Sequence, residues 1–367
     1  MPSRVSDPAS ARLFGRPFSG VADRLLTWEK RGYLVHEPTA ALQLHEYTTN
    51  GVTIRGLVGA LDVSRRASGH EDRAIHPHEG IYPAQADDLA GRMHQMGLNP
   101  APILLVQTSP VALRDLLAAV RDTPPPVTFV DRAGHTHRIW PIEDPELLEA
   151  IAGHLAPTTA VIADGHHRYA AYLRLQQRHP GGGFDRGLAM IVDQGDTPLF
   201  LGAIHRVLHG SSLDDVASAA ATVGIPTRLV RQPHAMACLA PGTMVATDQA
   251  RWLTLELGER ADTLEIEALH DRIVPALAHG PHRVTHHHSA AEALGLAGTE
   301  SGTAVLLPAP RFEQIENVVR DGRLFPEKAT SFQPKPPLGV MLRFVHDEDD
   351  EPTSPRPRPA IRSRLPF

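Results

Sequence analysis

The stretch Thr158–Leu175, TTAVIADGHHRYAAYLRL, decides how the rest of the chain is read. An apolar run, Ala160–Ala163, is followed by Asp164-Gly165 and then by residues with helical spacing. The pattern predicts a strand, a tight turn at Gly165 and a helix starting at about His167. Five residues of concentrated chemistry sit at that junction: Asp164, Gly165, His166, His167 and Arg168. Backbone N–H groups at a helix start, with the helix dipole behind them, attract anions. Arg168 adds a charged fork suited to phosphate or carboxylate. Three roles are open to Asp164: helix cap, metal ligand, or partner of an imidazole. His166 and His167 offer donors near neutral pH. The ensemble suits a phosphate-bearing ligand with Mg²⁺ at Asp164. The plainer arrangement, with Asp164 as a helix cap and Arg168 as an ion-pair partner, fits the residues equally well.

Outward from this junction the chain alternates strand and helix signals. Residues 1–22 read as a poorly ordered lead, and LLTWEKRGYLV as a short helix turning at Gly32 into a strand. Two alternating runs flank Asn50-Gly51, the strongest short hairpin signal. AQADDLAGRMHQMG predicts a helix ending at Gly97, APILLVQT a buried strand, and PVALRDLLAAVRD a helix. PVTFVDRAGHTHRIWPI predicts a hairpin turning at Ala133-Gly134, and PELLEAIAGHLA a helix before the central strand. GLAMIVDQ and LFLGAIHRVLH follow as two further strands. Helical segments mixed with short strands from about Ser211 indicate a second α+β lobe. A lysine- and proline-rich block then leads to a closing strand, and 346–367 reads as an acidic, then Arg/Pro-rich, disordered tail. The expected organisation is a core over 23–210 and a second lobe over 211–345 that ends in the returning block.

Composition narrows the function. With 367 residues, 42% hydrophobic and 21% charged, the chain can bury a real core. A net charge of −6 argues against a general binder of nucleic acid or anionic membrane. No run approaches the ~20 apolar residues of a membrane span, and the first residues lack the apolar region of a signal peptide. A single cysteine, Cys238, excludes an internal disulfide framework and fits a buried apolar role in a reducing compartment. The expectation is a soluble cytoplasmic protein. Histidines number 22, and HRVTHHHS, from His282 to Ser289, reads as a solvated loop.

Taken together, several segments resemble the DUF1015 family in order along the chain. ADGHHRYAA is similar to the family's strand–DGHHR–helix signature, and HPHEG (His76–Gly80) to its HE-containing segment. LNPAPILLVQ resembles its strand after an N-x-x-P turn, GAIHRVL its THR strand, and FPEKATSFQPKPPLGVMLR its C-terminal lysine, threonine and proline block. The likeness spans about residues 65–345. The DGHHR unit also resembles the phosphate-binding loop of the ParB/sulfiredoxin-like superfamily, which includes free-serine kinases. The resemblance implies an α+β fold, with a mixed-sheet ParB/sulfiredoxin-like core and a second α+β lobe. It further implies a kinase using ATP or ADP and Mg²⁺ to phosphorylate a small hydroxyl metabolite, L-serine first. Carried over, Glu79 is the general base assisted by His78, and Asp164, Gly165, His166, His167 and Arg168 hold phosphate and Mg²⁺. His205 and Arg206 line the same pocket, and Lys328 and Lys335 add charge against phosphates.

The chain departs from the family at several points. Gly80 and Ile81 follow Glu79 where a basic residue and a threonine are usual. Asp87-Asp88 replaces an acid followed by arginine, Ala329 stands in place of serine, and a P-P-Y-D entry segment is missing. Two other readings stay open. One is a nucleotide-binding switch or adaptor without phosphoryl transfer. The other is a metal-dependent hydrolase using His76 and His78, or His135 and His137, since histidines at i, i+2 on a strand share a face. A sulfiredoxin-like redox role fails because His166 stands where the cysteine would be.

Overall fold

The computed structural model describes residues 16–37, 39–258, 264–298, 302–326 and 328–345. Most of the lead and the whole acidic, Arg/Pro-rich tail lie outside the described residues. The chain divides into two units. The first takes the described residues up to His76, then Ile81–Leu199 and the segment from Pro334 onward; the second takes Pro77–Gly80 and Phe200–Gln333.

The first unit is built on an eight-stranded mixed sheet. Its strands are β1 (Leu42–Thr49), β2 (Val52–Asp62), β3 (Ile75–His76), β5 (Ile103–Gln107), β6 (Val127–Val130), β7 (Thr136–Ile142), β8 (Ala160–Asp164) and β9 (Arg186–Asp193), with a short β4 (Leu98–Asn99) outside it. Their order is β3-β8-β5-β9-β2-β1-β7-β6. Only β3/β8 and β5/β9 run parallel; the other neighbours are antiparallel. The β1–β2 turn is Asn50-Gly51, both at positive φ (50° and 77°), the backbone that a two-residue hairpin loop requires. β5 is buried at every position, which is why its sequence reads as a continuous apolar run rather than an alternation.

Five helices accompany the sheet: α1 (Val21–Lys30), α2 (Pro83–Met96), α3 (Val111–Arg121), α4 (Pro145–Leu155) and α5 (His166–Arg178). α2 begins with Pro83 in its first turn and ends at Gly97, whose φ of 66° closes the helix in the left-handed region. Asp144 caps α4 by accepting from the Leu147 N–H. Ala90 and Met93 of α2 and Ala171, Tyr172 and Leu175 of α5 pack with Ile103, Leu105 and Ile162 of the sheet. α3 and α4 pack instead with Leu44, Leu57 and Trp140. Gly187 lets Tyr172 in: a Cβ there would stand 2.3 Å from the Tyr172 ring. α1 starts at Val21, within the expected lead, because Val21 and Leu25 are fully buried against Met96 and Leu98. No strand follows Gly32; residues 33–37 are irregular.

The second unit has a six-stranded, fully antiparallel sheet. Its strands are β11 (His205–His209), β12 (Thr227–Val230), β13 (Thr243–Thr247), β14 (Trp252–Glu256), β15 (Arg283–His287) and β16 (Thr303–Leu306), in the order β12-β14-β13-β16-β11-β15. A separate ribbon pairs β10 (Phe200–Gly202) with β17 (Ser331–Gln333). Helices α6 (Leu213–Thr222), α7 (Gln232–Cys238), α8 (Ala290–Leu296) and α9 (Phe312–Arg320) belong to this unit. Val207, Val245, Trp252 and Leu306 share a core with Ala235 of α7 and Ala293 of α8.

Three expectations are corrected here. The division falls at Leu199/Phe200 rather than at 210, because β11 pairs on both sides within the second sheet. LFLGAIHRVLH is two strands in two different sheets, not one. His282–Ser289 is no solvated loop: Arg283–His287 forms edge strand β15, paired with β11. Among the described residues no helix is long and apolar enough to cross a membrane.

The packing gives a direct test. Ile162 is fully buried in the sheet core, so Ile162→Ala is expected to cost about 2–5 kcal/mol in urea denaturation. Val130→Ala, at an exposed position on β6, is expected to cost under about 0.5 kcal/mol.

Candidate functional site

β8 ends at Asp164, and Gly165 turns the chain into α5 with φ 95°, ψ 29°. Gly165, not Asp164, is the N-cap residue of α5, so the capping role open to Asp164 is not taken. The glycine is required twice over. Its backbone lies in the left-handed region, and a Cβ would stand 2.9 Å from Arg168 Nε and 3.1 Å from Ile103 Cγ2.

Asp164 instead gathers two cations. Its Oδ2 accepts from Arg168 Nη2 at 2.6 Å, and its Oδ1 accepts from the Lys335 ammonium. Arg168 Nη1 also donates to the Pro102 carbonyl at 2.6 Å, which locks the guanidinium in place. Burial pushes the Asp164 carboxyl up, but the Arg168 and Lys335 cations outweigh it and hold the group below the usual carboxylate range. His167 Nε2 accepts the Tyr82 N–H at 3.0 Å, and the two rings stack. That acceptor role leaves the proton of a neutral His167 on Nδ1. The unit therefore presents the start of α5 with Arg168 and Lys335 fixed beside it by one carboxylate. Helix-start N–H groups and basic side chains are the donors that suit an anion.

Mg²⁺ in a nucleotide site is held by one or two carboxylates together with substrate phosphates, and Asp164 is the one carboxylate at this junction that the sequence offers for it. Mg²⁺ takes hard, negatively charged oxygens in near-octahedral geometry. Here a single carboxylate spends both oxygens on cations. In this structure Asp164 anchors two positive side chains.

Glu79 lies in the second unit with a different set of partners. Its Oε1 accepts from the Thr330 N–H and the Thr330 hydroxyl, each at 3.0 Å, and its Oε2 accepts from the Lys328 N–H at 3.2 Å. The Thr330 hydroxyl lies 2.6 Å from His78 Nε2. Because that hydroxyl donates to Glu79, His78 Nε2–H donates to it, giving a relay His78→Thr330→Glu79. His78 is fully buried, with its ring edge-on to Phe325 and Phe332, and its carbonyl accepts the Phe325 N–H at 2.8 Å. Thr330 was not singled out in the sequence; the only signal for it was the threonine of the C-terminal block.

His205 and Arg206 do not line an open pocket. Arg206 is fully buried on β11 and donates to the carbonyls of Ile204 (2.7 Å) and Lys328 (2.9 Å) and to His270 Nε2 (3.2 Å). Lys328 is thus gripped from both sides, its carbonyl by Arg206 and its N–H by Glu79, which holds a non-glycine residue at φ 55°. Arg206 is a positioning residue for the Lys328–Thr330 segment. His205 is buried beside it and accepts the Leu307 N–H through Nδ1 at 3.2 Å. Lys335, which the sequence placed with Lys328, belongs to the first unit with Asp164.

The family departures fall in varied places. Asp87 accepts from Arg174 and Arg178, tying α2 to α5, and Asp88 pairs with Arg92 on the same helix. Both are surface ion pairs. Ala329 is buried between Lys328 and Thr330, and Gly80 faces open space. His76 and His78 are not a ligand pair: β3 stops at His76, and His78 Nε2 is committed to Thr330. Cys238 is half-buried on α7 beside His234 rather than in a core.

The fold and these residues define a two-unit α+β protein with two cationic side chains paired to one carboxylate at a strand–turn–helix junction and a separately held carboxylate. The chain belongs to the family described as "Protein of unknown function (DUF1015)", whose profile matches residues 4–271. No curated protein matches it. Among solved structures it is similar to a free serine kinase variant in complex with ADP, at 14% identity over 76% of this chain and 87% of that one, with a TM-score of 0.42. It is also similar to SbnI with a C-terminal truncation from Staphylococcus aureus (14%, 80% and 90%, TM-score 0.45). A conserved hypothetical protein from Pyrococcus furiosus gives 14%, 80% and 97%, with a TM-score of 0.41.

The histidines around Arg206 set a pH dependence. Burial first, and then the Arg206 cation, lowers His205, His270 and His286 to about 4 each. They are neutral in the folded chain and protonate near 6.5 when unfolded. Their stabilisation is complete above about pH 6.5 and is lost as pH falls to about 4. Urea denaturation is expected to show stability falling across this window, by up to about 1.4 kcal/mol per pH unit for each such histidine. His205→Asn is expected to flatten the slope.

Proposed function

We propose that this protein is a nucleotide-dependent kinase that transfers a phosphoryl group to the hydroxyl of a small metabolite, with L-serine the first candidate acceptor. In this reading the first unit is a ParB/sulfiredoxin-like core. The start of α5 binds the nucleotide's phosphates, with Arg168 and Lys335 as charge partners and Asp164 as the group that fixes them. The single observation that carries the reading is this pair of cations, held by one carboxylate at a helix start behind a glycine that admits no side chain.

Phosphoryl transfer asks a protein mainly for positioning and for positive charge around the transferring group. Glu79 supplies the other requirement. As the acceptor oxygen forms its bond to phosphorus and the phosphoanhydride bond breaks, the hydroxyl proton passes to the Glu79 carboxylate. The leaving phosphate keeps the bridging oxygen and its electron pair. Glu79 is suited to this because Lys328 and Thr330 fix both its oxygens, and His78 orients Thr330. A hydroxyl acceptor must lose its proton during the transfer, and that carboxylate is the group that would take it.

A second reading, nucleotide binding without transfer, is favoured by the same hydrogen bonds. A carboxylate that accepts from two backbone N–H groups is also what a purely structural glutamate looks like.

The test is a phosphotransfer assay with ATP and ADP, with and without Mg²⁺, across a panel of hydroxyl metabolites led by L-serine. Glu79→Gln is expected to lower kcat by about 10²–10⁴-fold with nucleotide affinity nearly unchanged. Lys335→Ala and Asp164→Ala are expected to weaken nucleotide binding itself. Binding that depends on Asp164 without any phosphorylated product would select the switch. Failure to bind nucleotide would sink both readings.

A further inference from the structure

The first unit holds a second cluster of chemistry that the proposed kinase reaction does not use. At the β6–β7 turn, Asp131, His135 and His137 bring one carboxylate oxygen and two imidazole nitrogens within 4.8 Å of one another. The two oxygens of Asp131 have separate tasks. Oδ1 accepts the N–H groups of Ala133 and His135, each at 2.9 Å, and so builds the turn. Oδ2 points the other way, 2.9 Å from His135 Nδ1 and 3.3 Å from His137 Nε2.

These separations suit a shared ion. With metal–ligand bonds of about 2.0–2.1 Å, neighbouring ligand atoms of a tetrahedral site lie about 3.3–3.4 Å apart. A ligating histidine usually has its other nitrogen held by a partner that fixes the ring. His137 has this support: its Nδ1 lies 3.0 Å from His45 Nε2, and both residues are buried. Phe129 also stacks on the His137 ring, with centroids 4.7 Å apart. Asp131 and His135 are 19% and 27% exposed, so an ion can enter from solvent and keep a further position for water.

We propose that Asp131, His135 and His137 form a divalent transition-metal site, with His45 orienting His137. Two imidazoles and one carboxylate favour Zn²⁺, Co²⁺ or Ni²⁺ over Mg²⁺ or Ca²⁺, which take oxygen ligands. Bound metal would cross-link the β6–β7 hairpin, the edge of the eight-stranded sheet, and through His45 tie it to β1. The proposal does not depend on the kinase reading.

The experiment uses the full chain without a histidine tag, stripped by chelator and titrated with Co²⁺. The visible absorption of ligated Co²⁺ should saturate at one ion per chain and be displaced by Zn²⁺, and Zn²⁺ should raise Tm. His135→Ala and His135→Asn, at a partly exposed position, should abolish the band while the metal-free Tm stays near that of the parent. His45→Phe should weaken Co²⁺ binding about 10–100-fold. A variant with His286, His287 and His288 all replaced by Gln should keep the band. No band, or a band that survives in both His135 variants, would overturn the assignment.

Discussion

One carboxylate organises the first unit's chemistry. Asp164 sits where β8 ends, and the cations of Arg168 and Lys335 converge on it from a helix and from the returning C-terminal segment. Without Asp164 two positive side chains would face each other at the start of α5. With it, they form a fixed pair, and the Pro102 carbonyl removes the remaining freedom of Arg168. Electrostatic recognition is strongest when donors are placed before the ligand arrives, because no reorganisation is then needed on binding. Gly165 is the geometric condition for this, since any side chain there would collide with Arg168 and Ile103.

The second unit applies the same logic with a buried cation. Arg206 has no exposed surface, and among its acceptors are the Ile204 and Lys328 carbonyls and His270. A buried charge is tolerable when it is fully hydrogen-bonded, and costly when a partner is removed. The cost is turned to use: the arginine fixes Lys328, and Lys328 with Thr330 fixes Glu79. The neutral histidines around Arg206 follow from its presence, because a second charge beside a buried guanidinium is disfavoured.

What could be read from the sequence follows from how local each signal is. The Asn50-Gly51 hairpin, the α2 stop at Gly97 and the strand–turn–helix unit at Gly165 are set by a few neighbouring residues, and each appears where the pattern put it. The division between units falls inside LFLGAIHRVLH, where nothing in the local pattern shows that β10 and β11 join different sheets. The polar edge strand β15 escaped for the converse reason: its histidines read as solvated until β11 pairs with them. At the site, Asp164 and Arg168 are only four residues apart and are legible together, whereas Lys335 is linked to them only through the family resemblance. Thr330 and the buried setting of Arg206 are long-range facts, invisible to spacing. The Lys335 partner of Asp164 is a long-range fact of the same kind, since it lies 171 residues away.

The central claim is that the first turn of α5, charged by Arg168 and Lys335, receives a nucleotide's phosphates. Amide hydrogen exchange with and without ADP tests this most directly. The account predicts slowed exchange at His166, His167 and Arg168 in the parent chain and no such change in Asp164→Ala. Nucleotide binding that leaves these amides untouched would contradict it.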